Sequence, residues 1–190
     1  MSTQLTDKVI FLDRDGVINK YPGDFKYVKS WNEFTFLPQV KSALKRLSNA
    51  GFKMFIISNQ AGVSKGIYSQ ENLDSITNNM LAELKKEGID LAGVCYCVHP
   101  QEANCSCRKP KTGLIDMAIA KMRNSGHSIK LSEGYFIGDT IRDIQTGKAA
   151  GLRTILVFSG KEKPENEASW QILPDFTAPN LSGAADIILR

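Results

Sequence analysis

No run of apolar residues in this chain approaches the about twenty needed to cross a bilayer as a helix. The first eight residues also lack the apolar core of a secretion signal, so a cytoplasmic protein with no membrane partner is expected. The balance of charge is nearly even too. A net charge of +4 is too small to argue by itself for a nucleic-acid partner, although it suits a small anionic substrate if the basic residues gather at one place. Repeats, low-complexity tracts and convincing linkers are all missing. Residues 1–190 therefore read as one domain, long enough to bury a real core, and a monomer is expected. Histidine occurs only twice, and the isolated His127 reads as a surface residue. Cysteine occurs four times, all within thirteen positions.

What is present alternates. Short apolar runs at Lys8–Asp13, Lys53–Ser58, Gly93–Cys97, Tyr135–Gly138 and Thr154–Phe158 have the form of strands buried on both faces. Amphipathic segments separate them. Pro38 is expected to open the first helix, with Val40, Leu44 and Leu47 on one stripe and Gly51 past its end. Ser69 can cap a second helix that carries Leu73, Ile76, Met80, Leu81 and Leu84. Thr112–Arg123 and Thr140–Ala150 are expected as the third and fourth. The polar stretch Ser159–Ala168 reads as a loop, followed by a short element at Ala185–Leu189. Strands separated by helices imply a doubly wound, mainly parallel α/β sheet.

The chemistry falls at strand ends. Asp13 and Asp15 close the first strand in Phe11-Leu12-Asp13-Arg14-Asp15-Gly16, where open α/β folds bind ligands. One carboxylate can attack while its neighbour handles protons, and both can hold a hard cation, although Asp and Gly are also ordinary turn residues. Ser58, followed by Asn59-Gln60-Ala61-Gly62, offers a hydroxyl and free N–H groups for phosphate oxygens. Arg108-Lys109-Pro110-Lys111 sets cations before the third helix. Asp139 ends the fourth strand as a candidate metal ligand. Asp143 suits either the metal or a capping pair with Thr140.

The cysteines fall in Cys95-Tyr96-Cys97-Val98-His99 and Cys105-Ser106-Cys107. Clustered cysteines with a histidine favour zinc over disulfides here, and five candidates compete for four tetrahedral positions. Cys95 lies deepest in its strand and reads as a core residue. The zinc set is then Cys97, His99, Cys105 and Cys107, within a loop of about residues 95–109.

The order Asp-x-Asp-Gly, Ser, Lys and Gly-Asp-x-x-x-Asp from Val9 to Gly160 resembles the haloacid dehalogenase (HAD) superfamily of phosphohydrolases. That resemblance implies a HAD-like Rossmannoid fold without a large cap domain. It makes Asp13 the nucleophile, Asp15 the acid and base, and Ser58 and Lys109 the groups that steady the phosphoryl oxygens. Mg2+ would be held by Asp13, Asp139 and the backbone carbonyl of Asp15. The zinc loop feeding into Arg108 and Lys109 is similar to one branch of that superfamily. The branch includes D-glycero-D-manno-heptose 1,7-bisphosphate 7-phosphatases and the phosphatase domain of histidinol-phosphate phosphatases. Phe11–Asn19 and Ser58–Gly66 look more like the heptose enzymes, which implies a small phosphorylated metabolite on a route to lipopolysaccharide or another surface glycan. Asn59, Gln60 and Arg108 would touch that substrate. The short spacing from His99 to Cys105 is nearer the histidinol branch, and Tyr21–Phe25 departs from the heptose pattern. From a different class, a zinc-loop nucleic-acid-binding module is opposed by Asp13, Asp15 and Asp139, which would repel a phosphodiester backbone.

Overall fold

Why the strand runs are apolar without alternation becomes plain from where they lie. The computed structural model describes residues 6–190, with strands β1 Val9–Leu12, β2 Lys53–Asn59, β3 Gly93–Cys97, β4 Tyr135–Gly138, β5 Arg153–Val157 and β6 Phe176–Ala178. They pair in parallel throughout, in the order β3-β2-β1-β4-β5-β6. Every residue of β1, at the centre, is buried. One side of the strands sends Ile10, Leu12, Met54, Ile56, Ile137 and Ile155 into a core completed by helices α1 Val40–Asn49, α2 Gln70–Lys86 and α5 Leu181–Ile188. The other side sends Val9, Phe11, Phe55, Ile57 and Phe136 against α3 Gly113–Asn124. Helix α4, Ile141–Ala149, joins α3 on that second face, where Gly147 lies so close to Phe136 and Thr154 that a side chain there would collide. Helices on both faces are what a doubly wound sheet requires.

The chain runs from β1 outward through β2 to β3, then returns to β4 and runs outward the other way. The reversal opens a crevice at the carboxyl ends of β1 and β4, the place where such sheets bind ligands. Asp13 and Asp139 follow those two strands directly.

The expected strands are present, β3 and β4 with the expected bounds and β1, β2 and β5 with ends shifted by a residue. β2 runs one position past Ser58, because Asn59 still pairs with Cys97. Two departures have local causes. Helix α1 starts at Val40 and not at Pro38, since Gln39 takes a left-handed conformation (φ 63°) that no helix can include. Strand β6 was not anticipated: it has three residues, two of them exposed, at the sheet's edge. The element expected at Ala185–Leu189 is the second half of α5, which begins earlier because the Asn180 side chain accepts from Gly183 N. The polar stretch after Ser159 contains a 3-10 turn at Pro164–Ser169. Among the described residues no helix is long and apolar enough to cross a membrane.

Leu12, fully buried in the central strand, should be among the costliest positions to truncate. Leu12→Ala is expected to lower stability by about 2–5 kcal/mol in chemical denaturation. A loss below about 1 kcal/mol would mean that this strand is not the centre of the core.

Candidate active site and metal centre

Three buried carboxylates meet one buried ammonium at the crevice. Lys109 Nζ lies 3.0 Å from Asp13 Oδ2 and 2.5 Å from Asp143 Oδ1. Asp13, Asp139 and Asp143 can bring one oxygen each within 4.8 Å of one another. They line a cavity of about 140 Å3 together with Asp15, Ser58 and Asn59. Burial raises Asp13; Lys109 opposes and Asp143 adds, leaving it at about 6. Asp139 is held well above the usual carboxylate range, first by burial and then by the charges of Asp13 and Asp143. For Lys109, burial alone would favour the neutral amine, but Asp13 and Asp143 outweigh it and raise its pKa. One ammonium cannot neutralise three carboxylates. The oxygen donors and this shortage of positive charge fit a hard divalent cation such as Mg2+.

Asp139 has little freedom. Its Oδ2 accepts from Lys161 N at 2.8 Å, and a Cβ at Gly16 or Gly160 would run into its carboxylate. Gly16 also has a φ of 83°, so glycine is required there twice over. Asp143 fills both of the roles open to it. It forms a capping box with Thr140 at the start of α4, and its other oxygen holds Lys109.

Asp15 is anchored from behind. Its carboxylate accepts from Arg14 Nε and Nη2 (3.1 Å each), Asn19 Nδ2 (2.9 Å) and Gln60 Nε2 (3.2 Å). Arg14 is fully buried with its guanidinium over the Tyr96 ring, an arrangement that no local pattern announces. Gln60 requires a correction. Expected to touch substrate, it is buried, and its amide is used within the protein: Nε2 donates to Asp15 and Ser58, while Oε1 accepts from Arg14 and Tyr68. Asn59 does line the cavity, but its side chain brackets the Lys109 backbone, donating to the carbonyl at 3.2 Å and accepting from the N–H at 3.1 Å.

The second cluster gathers Cys97, His99, Cys105 and Cys107. All their ligand atoms lie within 4.8 Å of one another, and four of the six pairs are closer: Cys97 Sγ to His99 Nδ1 3.7 Å, Cys97 to Cys105 3.6 Å, Cys105 to Cys107 3.4 Å and His99 Nδ1 to Cys107 3.2 Å. A tetrahedron with bonds of about 2.3 Å has edges of about 3.8 Å, shorter to a nitrogen ligand, so the set fits zinc with no position left for water. Cys95 stands outside the set. It is half-buried and not the deep core residue expected, because β3 is an edge strand. His127, half-exposed, contacts Asp7 at 3.0 Å. The loop continues from Cys107 into Arg108, whose Nη1 reaches the His99 carbonyl at 3.4 Å, and then into Lys109.

Comparison with known proteins follows the same lines. A family model described as HAD-hydrolase-like matches residues 106–184. The D-glycero-D-manno-heptose-1,7-bisphosphate 7-phosphatase of Chlorobaculum tepidum is 36% identical over 182 residues, covering 92% of this chain and 90% of that protein. The D-glycero-beta-D-manno-heptose-1,7-bisphosphate 7-phosphatase of Neisseria meningitidis serogroup A is 34% identical, covering 90% of this chain and 87% of that one. The solved D,D-heptose 1,7-bisphosphate phosphatase of B. bronchiseptica, complexed with magnesium and phosphate, aligns with a TM-score of 0.83 at 29% identity, over 96% of this chain and 98% of that one.

Two outcomes are expected from this geometry. Cys105→Ser or Cys107→Ser should lower bound zinc, stability and activity together, whereas Cys95→Ser should keep about one zinc per chain. Metal analysis of the three variants decides it, and zinc lost from Cys95→Ser but retained by Cys105→Ser would contradict the ligand set. The second concerns pH. With Asp13 shifted from 3.8 to about 6, the folded protein binds more protons than the unfolded chain between those values. In magnesium-free protein this carboxylate therefore costs stability as pH rises through about 6, and a bound cation removes the cost. Mg2+ should raise Tm more at pH 7.5 than at pH 5; equal gains at both would contradict it.

Proposed function

The chain belongs to the heptose 1,7-bisphosphate 7-phosphatase family of HAD-like hydrolases, and from that premise we propose that it removes the 7-phosphate of D-glycero-D-manno-heptose 1,7-bisphosphate. The observation that carries the reaction type is the contact of Lys109 with Asp13 in a cavity that also holds Asp15, Ser58 and Asp139. Asp13 attacks phosphorus, forming an aspartyl-phosphate as the bond to the sugar oxygen breaks. Asp15 gives its proton to that oxygen, then takes one from the water that frees the phosphate. The Ser58 hydroxyl and Lys109 ammonium hold the non-bridging oxygens, and Asp143 keeps Lys109 in place. Asp13, Asp139 and the Asp15 backbone carbonyl would hold Mg2+, which supplies the positive charge that the carboxylates lack and offsets that of the phosphoryl group. Cys97, His99, Cys105 and Cys107 would hold a structural zinc that fixes the loop before Arg108.

The substrate reading rests on relatives at 34–36% identity over nine-tenths of the chain, all named for heptose bisphosphate. These relatives do not support the histidinol-phosphate reading. All the groups required come from one chain, consistent with a working monomer, and thiolate zinc ligands suit the reducing cytoplasm.

Asp13→Asn keeps the shape but removes the attacking charge and a metal ligand. Activity should fall at least roughly a thousandfold, about 4 kcal/mol of transition-state stabilisation. Asp15→Asn should act more mildly on esters with activated leaving groups, which need no proton to depart. Phosphate release from the bisphosphate and from an aryl phosphate checks both. Near-normal turnover by Asp13→Asn would sink the mechanism.

A further inference from the structure

Beside the catalytic cavity lies a second of about 220 Å3 whose charged lining has one sign. Arg108, Lys109, Lys111 and Arg142 face it, with Gln101 and Asn104 as polar neighbours and no carboxylate. Lys109 and Arg142 also line the catalytic cavity, so the two share a wall. Two of the four cations are committed. Lys109 is held between Asp13 and Asp143, and Lys111 Nζ is bound to Asn104 Oδ1 (2.6 Å) and to the carbonyls of Asn104 (2.9 Å) and Cys105 (3.0 Å). The other two have charge to spare. Arg108 has only the 3.4 Å contact with the His99 carbonyl, and among the described residues no hydrogen bond or ion pair engages the Arg142 guanidinium.

Arg142 sits in the first turn of α4, exposed, next to the buried Asp143. It therefore approaches from the α4 side while Arg108 approaches from the zinc loop. Two uncommitted guanidinium groups facing one cationic cavity form a fork suited to a phosphate dianion. We propose that Arg142 binds, together with Arg108, the phosphate that is not hydrolysed, and thereby makes the enzyme selective for bisphosphates over monophosphates. This rests on the reading of the substrate as a sugar bisphosphate and adds the residue that selects it. The electrostatics require such a partner. A second phosphate close to Asp13, Asp15 and Asp139 would be repelled without local cations, and a leaving group bearing an ammonium would meet four cations and be disfavoured.

The test compares heptose 1,7-bisphosphate with heptose 7-phosphate in the zinc- and magnesium-loaded enzyme. Arg142→Ala should raise KM for the bisphosphate by roughly tenfold to a hundredfold with little change in kcat, since the contact is made equally in ground and transition states. The preference for bisphosphate over monophosphate should shrink by the same factor. Arg142→Lys keeps the charge without the fork and should restore part of it. Retention of the full preference in Arg142→Ala, or equal losses on both substrates, would overturn the role of Arg142 while leaving the substrate reading intact. A wild-type enzyme with no preference for the bisphosphate would overturn the substrate reading, and this role with it.

Discussion

Lys109, buried between Asp13 and Asp143, is the contact on which the rest of the site depends. An ammonium is tolerated at that depth only because two carboxylates stand against it, and it in turn lowers the cost of burying Asp13. Each member arrives from a different part of the chain. Asp13 follows β1, Asp143 lies in the first turn of α4, and Lys109 sits between the zinc loop and α3. Asn59, ending β2, grips the Lys109 backbone from both sides. A zinc ion held by that cluster would thus act upstream of catalysis: by fixing the chain at Cys105 and Cys107, it would fix where Arg108 and Lys109 can stand.

Electrostatic frustration explains why the same site suits phosphoryl transfer. With Asp139 added, carboxylates outnumber the ammonium, and both Asp13 and Asp139 are pushed toward the neutral form. A hard cation would relieve that and, in the proposed mechanism, return the attacking charge to Asp13. Asp15 is managed differently. The Arg14 fork, Asn19 and Gln60 fix its carboxylate from behind, so the proposed proton transfer would need no search by a mobile side chain. The anchor has a cost of its own, since Arg14 Nη1 and Asn19 Oδ1 are buried without a partner among the described residues.

Much of this was legible in the sequence, for identifiable reasons. Strands buried on both faces write themselves as uninterrupted apolar runs, so β1 to β5 were placed to within a residue. Cys97, His99, Cys105 and Cys107 were grouped by their spacing, with Cys95 set aside as a core residue, and the fold brings those four together. What escaped depended on contacts between distant segments. Arg14 reads as an ordinary charge between two aspartates until Tyr96 and Gln60 close over it from β3 and the end of β2. Gln60 reads as a phosphate-loop residue until Arg14 and Tyr68 are seen to saturate its carbonyl. Cys95 was read as a core residue from its depth along the strand, and only the sheet order makes β3 an edge. Strand β6 is too short and too exposed to leave a pattern.

The central claim is that Asp13 becomes covalently phosphorylated, and trapping that species tests it most directly. Enzyme mixed with substrate, quenched in acid within one turnover and reduced with borohydride should carry homoserine in place of aspartate at position 13, since an acyl phosphate is reduced and a free carboxylate is not. Peptide mass analysis reads the change. The account predicts homoserine at position 13 and nowhere else, dependent on substrate and absent from Asp13→Asn. Reduction at another carboxylate, or none despite full turnover, would contradict it.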